Sequence, residues 1–388
     1  MQHALDVFKF QSDSCNLNHM DSMKSVAERI HLGLLEVIAN LSDETVSDSA
    51  ISGYPTCVGS QFSSRSLSML PPKPKIFQGR EKELYEIIQC LGKESPARVV
   101  ILGPGGMGKS TLARAVLHHP DIQTQYPQQF FVACDSTTTT SELASLIGTH
   151  LGLPPGPNTT KAVIQRLSKK RPALLILDNL DTAWEPIETR NEIEELLGLL
   201  SAVQSLTLLI TMRGTERPAK VAWTHPFLPP LRPLEMDAAH RMFVDIADDI
   251  HPAEEVAKLL QLTDNLPLAV DLMAHLVDSD NCANVLAHWE IQRTRFLSEG
   301  HDRQSSLDKS INFSIFSPRM NANPGALDLL RILSILPFGL SETELLQSNF
   351  DIDNILSAKS VLLSTSLAYL DHHKQLKALV PIREHVHH

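Results

Sequence analysis

The chain has 388 residues, 43% of them hydrophobic, with 34 Lys and Arg against 45 Asp and Glu. That length supports two or three separate cores, and a net charge of -11 with a pI near 5.8 excludes a partner held mainly by charge, such as a nucleic-acid backbone or an anionic membrane. No apolar run is as long as a membrane span and the N-terminus lacks a signal pattern. The five scattered cysteines (Cys15, Cys57, Cys90, Cys134, Cys282) contain no C-x-x-C pair, so a cytoplasmic location is expected, with neither a disulfide framework nor a zinc site.

In chain order, a helix is expected from about Asp21 to Leu41, with Met23, Val26, Ile30, Leu34 and Ile38 on one face. From Ser42 to about Met69 the sequence is rich in Ser, Asp and Gly and reads as a flexible linker, closed by Pro71-Pro72-Lys73-Pro74. Arg98 to Leu102 then reads as a short buried strand. It runs directly into Gly103-Pro104-Gly105-Gly106-Met107-Gly108-Lys109-Ser110-Thr111, which satisfies the phosphate-loop pattern G-x-x-x-x-G-K-[ST], and a helix opens at Ser110 and stops before Pro120. Glycines let the backbone curl so that Gly103, Gly105, Gly106, Met107, Gly108 and Thr111 present N–H groups to phosphate oxygens at a helix N-terminus. Lys109 is the candidate for the β and γ phosphates, and the Ser110 hydroxyl is a candidate ligand for Mg²⁺.

Two further apolar runs, Gln129 to Cys134 and Ala173 to Leu177, read as strands of a parallel sheet, and the second ends in Asp178. An acid at the carboxyl end of such a strand lies beside the phosphate loop, where it holds Mg²⁺ through a water. A strand from Leu206 to Thr211 delivers Arg213 to the same edge, placed to sense a γ phosphate. Beyond these, Ala326 to Leu336 reads as a helix ending at Pro337, and Ser341-Glu342-Thr343-Glu344 as a capping box opening the next. A helix from Asp353 to Leu363 and strands Ser366 to Leu370 and Lys377 to Ile382 complete a winged-helix pattern. That helix sets one lysine, Lys359, against Asp353, too little charge for phosphate contacts, so no DNA partner is expected. There is no H-E-x-x-H and no G-x-S-x-G, and no metal beyond nucleotide-bound Mg²⁺ is indicated.

The ordered motifs resemble the STAND-type signalling ATPases with an NB-ARC module, as in plant disease-resistance proteins and the apoptosome scaffold. Besides the phosphate loop, Asp178 and Arg213, the resemblance is carried by Phe77-Gln78-Gly79-Arg80-Glu81, by Leu231-Arg232-Pro233-Leu234 and by Asn265-Leu266-Pro267-Leu268-Ala269, where Asn265 replaces the family's glycine. It implies that Phe77, Gln78 and Arg80 line an adenine pocket, that Pro267 packs on the adenine, and that Arg383, with His385 as runner-up, takes the place of a histidine that reads the β phosphate of ADP. It further implies an α/β fold: a P-loop parallel sheet flanked by helices, then a small helical domain and a winged helix. The domains expected are a helical N-terminal remnant over 1–41, a linker over 42–74, a nucleotide domain over 75–232, a helical domain over 233–300 and a winged helix over 301–388.

The implied function is an ATP/ADP switch with slow hydrolysis, locked closed by ADP and open and homo-oligomerising with ATP, with Lys109, Asp178 and Arg213 as its catalytic residues. Slow turnover is expected because many relatives carry a second acid after the strand acid, and this chain has Asn179, which cannot accept a proton. Asp181 is the nearby substitute. Alternatives are an AAA-type DNA-associated ATPase and a non-catalytic scaffold holding a structural nucleotide. Neither an effector domain nor a repeat sensor is evident, so the sequence names no upstream ligand and no downstream effector.

Overall fold

The computed structural model describes residues 70–93, 96–154, 156, 158–169, 171–292, 305–348, 350–371 and 373–387. The helix expected over 21–41 and the linker up to residue 69 lie outside them. All described residues fall within one unit, Arg65–His388. Among them, no helix is long and apolar enough to cross a membrane.

A four-stranded parallel sheet forms the centre of residues 96–212. Strands β1 (Arg98–Leu102), β2 (Gln128–Ala133), β3 (Ala173–Asp178) and β4 (Leu206–Met212) lie in the order β1-β4-β3-β2. Every residue of β1, β3 and β4 is buried, as their unbroken apolar runs require of strands covered on both faces. Alternate residues feed two cores. Val99, Ile101, Leu174, Ile176 and Leu209 face one side, whereas Val100, Leu102, Leu175, Leu177, Leu208 and Ile210 face the other. Helices α1 (Glu81–Lys93), α2 (Lys109–Leu117) and α3 (Pro120–Gln125) cover the first face. The second is covered by α4 (Thr140–His150), α5 (Thr159–Leu167), α6 (Asp181–Trp184) and α7 (Ile187–Ser201). Helix α4 starts at the capping box Thr139/Glu142.

Because β1, β3 and β4 are parallel, their carboxyl ends meet at one edge. Leu102 pairs with Met212 and Leu177 with Ile210, so the phosphate loop, Asp178 and Arg213 emerge together. The chain after β4 returns along the free edge of β1, where the Leu231 N–H donates to the Leu102 carbonyl at 2.8 Å.

Helices α8 (Met236–Ala247), α9 (Ala253–Thr263), α10 (Pro267–Ser279) and α11 (Cys282–Gln292) follow. The C-terminal region contains α12 (Ser305–Ile315), α13 (Pro318–Asn321), α14 (Pro324–Ile335), α15 (Glu342–Gln347) and α16 (Ile355–Ser364). It ends with the antiparallel pair β5 (Tyr369–Leu370) and β6 (Leu376–Lys377) and with α17 (Val380–His387). The first core continues without a break into these helices, through Phe243, Met273, Trp289, Leu330 and Leu362. The Ser341/Glu344 capping box opens α15.

Two expected strands are corrected. The apolar run Lys377 to Ile382 is not a strand past its first residue: β6 ends at Lys377 and Val380 begins a helix. The Asp264 carboxylate accepts the Val380 N–H at 2.6 Å and caps that helix, and Pro381 sits in its first turn, where no backbone donor is needed. The strand expected over 366–370 likewise shrinks to Tyr369–Leu370.

Gly214, just past β4, has φ +86°, and a Cβ there would lie 2.1 Å from the Ser364 carbonyl oxygen at the end of α16. Gly214→Ala is therefore expected to destabilise the fold by about 1–3 kcal/mol, read as a lowered thermal midpoint. A variant that melts with the parent would show that α16 does not seat on this loop.

Candidate nucleotide-binding site

A cavity of about 680 Å³ opens over the phosphate loop, a size suited to a small-molecule ligand. Its floor is Gly105 to Thr111, and its walls come from the strap Pro72–Gln78 with Arg80, from Asn179 and Arg213 at the sheet edge, and from Leu234, Met242, Pro267, Leu268, Asp271 and His275 of the helical region. Its lining carries Lys73, Lys75, Arg80, Lys109, Arg114 and Arg213 against one acid, Asp271. A protein of net charge -11 thus gathers positive charge in this concavity, where low-dielectric walls focus the field.

The phosphate loop is shaped for an anion. Gly106 has φ +74°, a conformation that turns backbone N–H groups inward, and its carbonyl accepts the Leu268 N–H at 3.1 Å, so the loop and the start of α10 are tied together. The Lys109 side chain is buried, and its ammonium donates to the carbonyls of Gly103 at 2.9 Å and Pro104 at 2.7 Å. Burial lowers its pKa to about 8, with Asp181 opposing the shift. Gly103 itself stands behind the loop against Leu231 rather than on the cavity wall.

Asp178 is buried behind Ser110. Its Oδ1 accepts the Ser110 hydroxyl at 2.8 Å and the Thr211 hydroxyl at 2.5 Å. Burial pushes the carboxyl above its usual range, and these two hydrogen bonds resist the shift. Thr211, which sequence reasoning missed as a site residue, also accepts the Asn179 N–H at 3.0 Å, and Asn179 takes a left-handed conformation at φ 56° that asparagine tolerates. Asp181 does not reach the cavity. It is 2% exposed and holds Arg213, whose Nε lies 3.5 Å from Oδ2 and whose backbone N–H donates to Oδ1 at 3.3 Å.

On the opposite wall, Arg80 braces the strap against the loop, donating to the carbonyls of Met107 and Arg232 and to Glu83. The Gln78 amide is held from both ends, donating to Asp245 at 2.8 Å and accepting from Arg241 at 3.4 Å. Phe77, Gln78 and Pro267 all line the cavity.

Arg383 does not. Its Nε donates to the Ser334 carbonyl at 3.4 Å, and His385 bridges Asp308 and Asn312 at 3.0 and 2.9 Å. No described residue beyond His275 lines the cavity. The placement fails because α17 replaces the expected strand and turns Arg383 onto α14.

Lys73, Lys75, Arg114, Asp271 and His275 complete the lining without having been anticipated. Pro267, Asp271 and His275 follow one another at i, i+4 and i+8, the spacing of one helix face, so their sequence does carry a signal.

The residues fit a Mg²⁺-nucleotide. The Nε groups of Arg80 and Arg114 are buried on this wall without a hydrogen-bond acceptor. The hydroxyl–carboxylate pair Ser110/Asp178 supplies the hard oxygen donors that Mg²⁺ takes.

Residues 97–246 match the family model of the NACHT domain. Uncharacterised proteins of Mycobacterium tuberculosis and Mycobacterium bovis are 30% identical over 228 residues, covering 54% of this chain; the chain spans about half (53%) of the length of these curated relatives. A Walker-type ATPase of Pyrococcus abyssi shares the fold at 13% identity and TM-score 0.54, covering 80% of this chain and 95% of that one. A STAND protein with a tetratricopeptide repeat sensor from Pyrococcus horikoshii aligns at 19% identity and TM-score 0.37, over 82% of this chain and 43% of that one, a score too low to add to the fold assignment.

Glu185, at the end of α6, lies among Arg190, Arg213 and Arg319, yet burial and the neighbouring Asp181 push its carboxyl up to about 7. A carboxyl raised in the folded state contributes stability at low pH that is lost as pH rises through its folded value. Parent stability is expected to fall by about 1–3 kcal/mol from this group between pH ~4.5 and 7. Glu185→Gln should flatten that slope and melt higher at pH 8. Unchanged denaturation curves across that range would refute it.

Proposed function

We propose that this chain is the nucleotide-handling part of a STAND-type signalling ATPase of the NB-ARC kind, in which an adenine nucleotide with Mg²⁺ sets the conformational state and hydrolysis is slow. The observation that carries this reading is the convergence of one buried ammonium, Lys109, the Ser110–Asp178 pair and Arg213 on one cationic cavity at the carboxyl edge of a parallel sheet. The domains are residues 75–232 for nucleotide binding, 233–300 for the helical domain that closes the cavity through Pro267, and 301–388 for a winged helix.

Each role belongs to a named group. The loop N–H groups and Lys109 hold the β and γ phosphates, Arg213 reads the γ phosphate, and Phe77, Gln78 and Pro267 enclose the base. Ser110 and Asp178 hold the metal, which when bound neutralises phosphate charge. The residues leave turnover without a general base: Asn179 cannot accept a proton, and Asp181 is engaged by Arg213. General-base help is worth about 10²–10⁴ in rate, so binding outlasts chemistry. ADP and ATP favour different arrangements of the domains, and the ATP-bound arrangement self-associates. DNA is not proposed as the partner. The one lysine of α16, Lys359, is already paired with Glu342 at 3.0 Å.

Two outcomes test this. Lys109→Ala is expected to release nucleotide during purification and to bind ATP and ADP at least about 100-fold more weakly, seen by calorimetry and by mass spectrometry of nucleotide freed on denaturation. A parent that carries no nucleotide and binds neither ATP nor ADP with Mg²⁺ would overturn the reading. Separately, Asn179→Asp, tolerated in the left-handed conformation, should raise steady-state hydrolysis about 10-fold or more. An unchanged rate would mean that position 179 does not face the attacking water.

A further inference from the structure

The loop after β4 is the seat of the C-terminal helices. Within four positions it touches three of them. The guanidinium of Arg213 lies 4.5 Å from the ring centroid of Phe313 on α12, Gly214 abuts the Ser364 carbonyl at the end of α16, and Glu216 accepts Arg319 of α13 at 2.7 Å. Arg213 is at the same time a wall of the cavity, with Asp181 holding its Nε side. A guanidinium makes its hydrogen bonds along its edges and stacks through its face, so an aromatic partner on the face fixes the plane without using the donors that a phosphate needs. Phe313 supplies that face from an element that does not line the cavity.

We propose that Phe313 is a positioning residue for Arg213, and that the C-terminal helices register a γ phosphate through this stacked pair without touching the nucleotide. The proposal rests on the reading of the cavity as a triphosphate site and names the route by which that site reports its contents. Coupling is reciprocal. If the seated helix aligns Arg213 for the γ phosphate, a bound γ phosphate strengthens the seat to the same degree, and ADP, which lacks the group Arg213 reads, does not. Phe313 is 44% exposed, so replacing it opens no core cavity.

The test uses the full chain and calorimetric titration with ATPγS and with ADP, each with Mg²⁺, in the parent, Phe313→Leu and Phe313→Tyr. Leucine keeps the apolar bulk and removes the aromatic face, whereas tyrosine keeps the face. Phe313→Leu is expected to weaken ATPγS about three- to tenfold, the range of one cation–π contact, while ADP affinity stays within about twofold. Phe313→Tyr should restore the parent's ATPγS-to-ADP ratio. Equal weakening of both nucleotides, an unchanged ratio in Phe313→Leu, or the same loss in the leucine and tyrosine variants would each overturn the proposal. A parent that binds neither nucleotide fails the triphosphate reading and the proposal with it. A parent that binds both, with Phe313→Leu unaltered, fails the proposal alone.

Discussion

The buried ammonium of Lys109 constrains everything around it. A charge withdrawn from water must be hydrogen-bonded, and here the partners are carbonyls of its own loop, those of Gly103 and Pro104. For those carbonyls to turn inward, the chain must leave β1 in a tight curl, and the curl needs a positive φ at Gly106. Once curled, the loop exposes the Gly106 carbonyl to the Leu268 N–H and the Met107 carbonyl to Arg80. The first bond brings in α10 and with it Pro267, Asp271 and His275. The second brings in the strap with Phe77 and Gln78. A single satisfied charge thereby draws together segments more than 150 residues apart in sequence.

The C-terminal helices are held by two kinds of contact, which respond to different things. Against α8 to α11 they share an apolar core, insensitive to charge and salt. Against the nucleotide-domain region the contacts are charged and partly exposed. Arg319 reaches Glu216 and lies over the ring of Trp184, whose other cation is Arg190 at 4.6 Å, and Arg213 lies over Phe313. Each such contact is worth about 0.5–2 kcal/mol, small enough for one new anion in the cavity to shift its balance. The apolar attachment, by contrast, cannot be undone without exposing Leu330 or Leu362, so the movement in the proposed function would pivot on the helical region and not detach from it.

How much was legible in the sequence follows from how each feature is encoded. The phosphate loop, Asp178 and Arg213 are readable because each is set by its own strand: a strand's end fixes where the next residue emerges, and parallel pairing aligns the ends. The capping box at Ser341 is readable for a similar reason, since its two partners are three residues apart. Arg383 is not. Its position depends on whether 378–387 is strand or helix, and that is decided by a carboxylate at Asp264, 116 residues away. Lys73 and Lys75 belong to a strap without periodicity, placed by Arg80 and by the bond between the His118 ring and the Pro71 carbonyl. Asp271 and His275 sit between these extremes, since their helical spacing from Pro267 was visible but the partner of that face was not.

Asp178, the last residue of β3, and Asp181 just beyond it show how one substitution redistributes roles. With an amide at 179 the turn adopts a left-handed residue whose N–H is taken by Thr211, and Asp178 is the carboxylate that accepts the Ser110 hydroxyl. Asp181, one helical turn on, points to the sheet edge instead and receives both the backbone and the side chain of Arg213. An acid that might have served chemistry thus serves position, and the cost is borne by Glu185, which must share the same buried ground with Asp181 and is pushed up to about 7. Holding Arg213 between a carboxylate and an aromatic ring favours a fixed geometry over a reactive one, which is what the proposed function asks of a residue that reads a phosphate rather than transfers it.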